Sequence, residues 1–343
     1  MPERILDLGM TADAIVRVQR PDGEIPWGPG RHTDPWNHVE AAMGLDAAGR
    51  HASARRAYIW LARMQAEDGS WAAAYREGRA CERMVDANFC AYVATGVWHH
   101  FLSTGDDTYT ASMWPVVQRA LDFVLELQMP SGAIRWARDN AYRAWPGALL
   151  TSSSCIYMSL RCGITLAEWI GEERPDWELS LERLGNAVAY EPEAFEPKDR
   201  YAMDWYYPAL TGALHEDEGG PRLGQRWEDF VVEGRGARCV ADRPWITAGE
   251  TSELVIACHA SGLDEEAMTM FEWMQHLRDS DGLYWTGANH PGGHLYPIEK
   301  TTWSAAAVLL AADSLDNGPT AALFTGAALV PRPALGGERF PAR

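Results

Sequence analysis

The chain has 343 residues, 47% of them hydrophobic and 16 of them tryptophan, ample for a large core and more rings than packing alone needs. Forty-eight acidic residues against 30 basic ones give a formal charge of −18, a field that repels phosphate backbones and anionic membranes, so nucleic acid is not expected as a partner. The first residues, Met1-Pro2-Glu3-Arg4-Ile5, do not read as a leader, and no stretch reaches the about 18 uninterrupted apolar residues of a spanning helix; a cytoplasmic protein with no transmembrane segment is expected.

Apolar periodicity near 3.6, punctuated by Gly, Pro and Asp, predicts twelve helices in chain order, over 4–20, 34–48, 50–67, 86–104, 107–129, 149–172, 176–195, 203–214, 219–232, 248–261, 263–278 and 298–315. No window alternates well enough for a core strand. Tight turns such as Ala48-Gly49 and Gly262-Leu263 pair these segments into αα-hairpins. Six hairpins closing into a ring make an all-α (α/α)6 toroid, one domain over 1–318, followed by an extension or tail over 319–343 in which Asn317-Gly318-Pro319 and Pro331-Arg332-Pro333 break the pattern.

A repeat supports the ring. Four times an apolar stretch runs into a glutamine, a glycine turn and a tryptophan: Gln19, Gly23, Trp27; Gln65, Gly69, Trp71; Gln128, Gly132, Trp136; Gln275, Gly282, Trp285. Segments 50–67 and 263–278 carry one charged face and read as outer helices. Segments 86–104, 149–172, 248–261 and 298–315 are apolar or small on most sides and read as inner ones.

The glycine loops lead from outer to inner helices, so the six inner starts should gather at one rim. Those starts are rich in acids and rings: Asp34, Trp36 and His38; Asp86 and Asn88; Thr151 to Ser154; Asp204, Trp205 and Tyr206; Glu250 and Glu253; Glu299 and Trp303. Trp245 and Trp285 stand just before two of them. Rings beside acids suit a sugar, whose apolar face stacks while its hydroxyls bond, and suit equally a carbocation steered by π-faces. Helix N-capping explains many of these acids without chemistry, Asp34, Asp86 and Asp204 above all.

Two families resemble this chain. Trp60 to Trp71, with Gln65 and Gly69 inside it, looks like the repeat of the squalene-cyclase and prenyltransferase toroids. Trp98-His99-His100 through Asp106, followed by Met113-Trp114-Pro115, is similar to the helix-loop-helix of six-hairpin glycosidases, and Pro297-Ile298-Glu299 through Ala307 is similar to the last inner helix of glucoamylase-like members. The second resemblance implies a catalytic base at Glu299 and an acid between the fifth and sixth helices, where the chain offers Asp139. Glu250 is the alternative acid, and Asp204 completes the set of candidate carboxyls.

Other motifs are missing. There is no DxDD or DDxxD for terpenoid cyclisation, and no P-loop, GxGxxG or GxSxG. Asp86, Cys90 and His99 or His100 echo the zinc ligands of protein prenyltransferases, but Asp86 and His99 lie nearly four turns apart. Cys258-His259 lacks a second cysteine ligand, and the six cysteines form no CxxC pair and read as reduced core thiols. Neither metal nor cofactor is expected. The reading is a glycoside hydrolase acting on a small sugar or glycoside, with a terpenoid-cyclase or prenyltransferase-like enzyme acting on an isoprenoid, or a non-catalytic binding toroid, as alternatives.

Overall fold

The computed structural model of the protein describes residues 7–215 and 217–331. In chain order its helices are α1 (Leu8–Val18), α2 (Pro35–Ala47), α3 (His51–Met64), α4 (Ala87–Thr104), α5 (Asp107–Leu125), α6 (Leu150–Ile170), α7 (Pro175–Tyr190), α8 (Ala202–Leu210), α9 (Gly219–Gln225), α10 (Trp227–Phe230), α11 (Ala248–Ala260), α12 (Asp264–Trp273), α13 (Thr302–Leu315) and α14 (Pro319–Phe324). Helices α2, α4, α6, α8, α11 and α13 touch one another in that order, and α13 returns to α2. They form the closed inner ring. The others pack outside it, except α14, which lies across one end, and α9 and α10 share the single segment expected over 219–232.

Burial follows the sequence pattern. Every residue of α11 from Ala248 to Cys258 is buried, as an enclosed helix requires, whereas α12 buries only Ala267 and Met270. Several inner helices start on a side chain that accepts from the free backbone N–H groups of the first turn: Asp34 from Asn37, Asp86 from Asn88 and Phe89, and Thr301 from Ser304. Short antiparallel ladders, which the sequence did not reveal, pair Val85–Asp86 with Ala137–Arg138 and Trp245–Thr247 with Gly287–Asn289. They join loops at the rim and bury Val85, Ala137, Ile246 and Ala288 at the edge of the core.

The glutamine-glycine repeat is a staple between neighbouring outer helices. Gln65 Nε2 donates to the carbonyl of Gly69 at 3.0 Å and to that of Val116, in α5, at 2.9 Å. Gln19 does the same with Gly23 and Ser53 in α3, and Gln128 with Gly132 and Ser180 in α7. The fourth copy departs: Gln275 bonds Phe271 and Tyr284, and Thr11 of α1 supplies the donor to the Gly282 carbonyl. Glycine is required at the turn because the next outer helix touches it. A Cβ on Gly69, which has φ +92°, would stand 2.1 Å from the Arg119 carbonyl oxygen.

The far end of the ring is closed by the chain beyond α13. Helix α14 packs on α13, α11 and α4, and the segment after it is tied down by Trp98 Nε1 to Ala328 O at 2.9 Å and by Arg161 to Val330 O at 3.0 Å. Residues 332–343 of the expected tail lie outside the described residues. Among the described residues no helix is long and apolar enough to cross a membrane.

Gln65→Ala leaves two carbonyls without their shared donor. We expect it to lower stability by about 1–2 kcal/mol, measured as an earlier denaturant midpoint. Gly69→Ala must cost more, through both its positive φ and the contact with Arg119. Identical midpoints for wild type and Gln65→Ala would show that the staple carries no stability.

Candidate active site

Backbone hydrogen bonds run from loop to loop in a circle and bring the six inner starts to one rim. Thr33 N donates to Tyr75 O at 2.9 Å, Ala87 N to Trp136 O at 2.9 Å, and Glu196 N to Ala148 O at 2.8 Å. Ala202 N donates to Cys239 O at 2.9 Å, Ala248 N to Thr286 O at 3.0 Å, and Thr302 N to Trp27 O at 2.9 Å, which returns to the loop before α2. Each inner helix therefore presents its first turn to a common mouth.

The first tier of that mouth consists of Trp36, Asn88, Ser152, Asp204, Glu250 and Trp303, one from each inner helix. Trp36 stacks on Tyr92, with centroids 4.8 Å apart, and meets Trp303 edge-on at 6.4 Å. Trp303 in turn packs against α11, where a Cβ on Gly249 would be 2.3 Å from its ring. Glu250 accepts from Thr247 Oγ1 at 2.5 Å, and Asp204 from Thr151 Oγ1 at 2.7 Å; burial raises the Asp204 carboxyl above its ordinary value. Burial also pushes Asp86 up to about 7, with the neighbouring Asp34 carboxylate adding to the effect. Among the described residues, five buried polar atoms here, Trp36 Nε1, Asn88 Oδ1, Ser152 Oγ, Trp136 Nε1 and Trp303 Nε1, have no hydrogen-bond partner. Such atoms are costly unless something binds them, and their gathering at one opening points to a polar ligand.

A second tier lies one turn deeper. Glu40, Tyr92, Cys155, Tyr207 and Glu253 follow the first-tier residues by three or four positions and, with Phe324 of α14 beneath them, line a cavity of about 20 Å³, room for roughly one water. Tyr92 donates to Glu40 at 2.7 Å, and Tyr206 and Tyr207 both donate to Glu253, the latter at 2.8 Å. Burial pushes Glu40 up to about 7. Burial and then the Glu40 charge push Glu253 well above the carboxylate range. Glu253 was expected from the sequence as a start residue, whereas Glu40, in the middle of an apolar helix, was not.

The rim holds the remaining candidates. Glu299 is half-buried and paired with Arg31 at 3.2 Å, and its carbonyl accepts from Thr286 N at 3.0 Å. Trp285 lies under the Lys300 ammonium at 5.0 Å, and Trp245 donates to the Tyr296 carbonyl at 2.5 Å.

Three expectations are corrected. His38 faces the outer helices: its Nδ1 accepts from Ile25 N at 3.1 Å, its Nε2 bonds the Ala57 carbonyl at 2.9 Å, and burial lowers it to about 4, so it is a neutral structural imidazole. Trp205 stacks on Phe230 at 5.1 Å and donates to Arg222 O at 3.0 Å, away from the mouth. Asp139 accepts from the backbone N–H groups of Arg143 and Ala141 and from the Arg143 guanidinium, which hold its carboxyl below the usual range. A general acid needs the opposite shift.

No protein-family model matches the chain. Among solved structures it is similar to a wild-type glycosidase, with TM-score 0.73 and 16% identity over 90% of this chain and 96% of that one. It is also similar to the GH63 mannosylglycerate hydrolase of Thermus thermophilus, with TM-score 0.71 and 12% identity over 88% of this chain and 98% of that one. The ring of hairpins is the (α/α)6 fold of these glycosidases. Over 317 residues the chain is 50% identical to an MMP endo-(1,4)-3-O-methyl-alpha-D-mannosidase of Mycolicibacterium hassiacum, covering 92% of this chain and 88% of that protein. It belongs to the same family.

The buried second tier makes stability depend on pH. Glu40 binds a proton in the folded protein between its ordinary value of 4.5 and about 7, where the unfolded chain releases it. Its contribution is therefore fully present below pH 4.5 and is lost as the pH rises through about 7. Glu40→Gln keeps an acceptor for Tyr92 but cannot ionise. Between about pH 5 and 8 it should lose less stability than wild type, by on the order of 3 kcal/mol, in denaturation at the two pH values. A parallel decline in both proteins would show that Glu40 does not titrate in this window.

Proposed function

We propose that this hydrolase cuts internal α-(1,4) linkages in chains of 3-O-methyl-mannose, using Glu250 and Glu299 as its carboxyl pair. The observation that carries a sugar ligand is the gathering of Asn88 Oδ1, Ser152 Oγ, Trp136 Nε1 and Trp303 Nε1, all unpaired, around the rings of Trp36 and Trp303. The choice of sugar rests on the relative's activity. A methylated sugar is more apolar than its parent. The rim suits it, because Tyr201, Tyr296 and Ile298 expose 41%, 56% and 82% of their surfaces in the loops before inner helices.

The carboxyl pair is supported by the bonding at the rim: Thr286 accepts from Ala248 N, two residues before Glu250, and donates its own N–H to the Glu299 carbonyl, so one loop residue ties the segments of both acids together. Glu299 is the member that meets solvent, where it pairs with Arg31 at 3.2 Å, and stands as the base. Glu250, inside the mouth, stands as the acid toward the leaving oxygen. Asp204 and Asp86 then serve sugar hydroxyls, alongside Asn88, while Glu253 stays in the layer beneath with Tyr206 and Tyr207. We assign the enzyme to the cytoplasm, a reducing compartment that suits its six free cysteines, of which Cys81 is exposed.

Glu299→Gln and Glu250→Gln keep shape while removing a charge or a transferable proton. Each should lower kcat by about 10²–10⁴-fold with little change in KM on α-(1,4)-linked 3-O-methyl-mannose oligosaccharides. Only Glu250→Gln should recover on substrates with a good leaving group. Full turnover by either variant on the oligosaccharide would remove that residue from the pair.

A further inference from the structure

Beside the mouth, the loop over 66–85 and the turn over 139–143 enclose an open groove of about 460 Å³, a size ordinary for a small-molecule site. It is continuous with the mouth through the pairing of Val85 with Arg138 and of Asp86 with Ala137. Its lining mixes apolar Ala66, Ala72 and Val85 with Ser70, Arg83 and the ring of Tyr142. None of these residues belongs to either tier of the mouth.

Tyr142 is held there deliberately. It is 46% exposed and adopts φ +65°, a left-handed conformation that a tyrosine rarely takes unless its surroundings impose it. Asp139 imposes it: the Tyr142 N–H donates to the Asp139 carbonyl at 2.8 Å, and Asp139 Oδ1 accepts from Ala141 N and Arg143 N, both at 2.9 Å. The Arg138 guanidinium covers the ring at 4.8 Å, and the hydroxyl lies 3.3 Å from Ser70 Oγ on the opposite wall of the groove. The acid that a general-acid role does not fit has a different task, which is to build the turn that presents this ring.

We propose that the groove is an outlying subsite that holds a sugar unit of the polymer beyond the bond being cut, with Tyr142 as its platform. This rests on the polysaccharide reading of the mouth. A 3-O-methyl group replaces a hydroxyl by apolar surface, so one face of such a sugar stacks on the ring and on Ala72 and Val85. Its remaining hydroxyls meet Ser70 and Arg83.

The test is the dependence of kcat/KM on chain length for α-(1,4)-linked 3-O-methyl-mannose oligosaccharides. In wild type, kcat/KM should rise once the chain is long enough to reach the groove. Tyr142→Gly removes the ring and relaxes the backbone, and should cut that gain about three- to tenfold; Tyr142→Phe, which keeps the stack, should retain most of it. If wild type shows the gain and Tyr142→Gly keeps it whole, the groove is not a subsite. If wild type cuts none of these oligosaccharides, the substrate reading falls and takes the subsite with it.

Discussion

Inner helices buried on nearly every side must still satisfy the backbone N–H groups of their first turns, and here α4, α8, α11 and α13 do so at a single rim by giving their first N–H to a carbonyl of a neighbouring loop, while Asp34 caps α2. The circle of bonds from Thr33 around to Trp27 meets that demand and draws the six loops over one opening. Everything chemical depends on it. The acids and rings of the mouth belong to the first turns or to the loops that hold them, so satisfying the inner helices and assembling the site are one structural act.

The second tier carries the opposite balance. Glu40 and Glu253 sit where ionisation is costly, and the tyrosines Tyr92, Tyr206 and Tyr207 supply donors that make their burial tolerable. A polar layer under the mouth keeps apolar side chains from collapsing into it. It also puts Glu253 one turn below Glu250 on the same face of α11, where the Glu250 charge adds to the upward push that burial and Glu40 exert on the deeper acid.

How far the sequence was legible can be judged residue by residue. The inner starts expected near 34, 86, 150, 204, 249 and 299 are found at Pro35, Ala87, Leu150, Ala202, Ala248 and Thr302, because caps and apolar periodicity are local signals. The direction of a side chain is not local. His38 and Trp36 are two residues apart on one helix and face opposite ways, and Trp205 is drawn outward by Phe230, which lies 25 positions later and which no spacing announces. Glu40 escaped notice because it follows the start of α2 rather than forming it. The signal was present all the same, since an acid four residues beyond Trp36 in an otherwise apolar helix has nowhere exposed to go.

The closure of the far end by α14 has a consequence for how a long chain is handled. With Phe324 forming the floor of the cavity, the ring is a blind cup rather than a tunnel. A polymer cannot be threaded through it, and whatever enters departs by the same opening. On the proposed polymer, successive cuts along one strand then require letting go and rebinding, or sliding sideways across the lip.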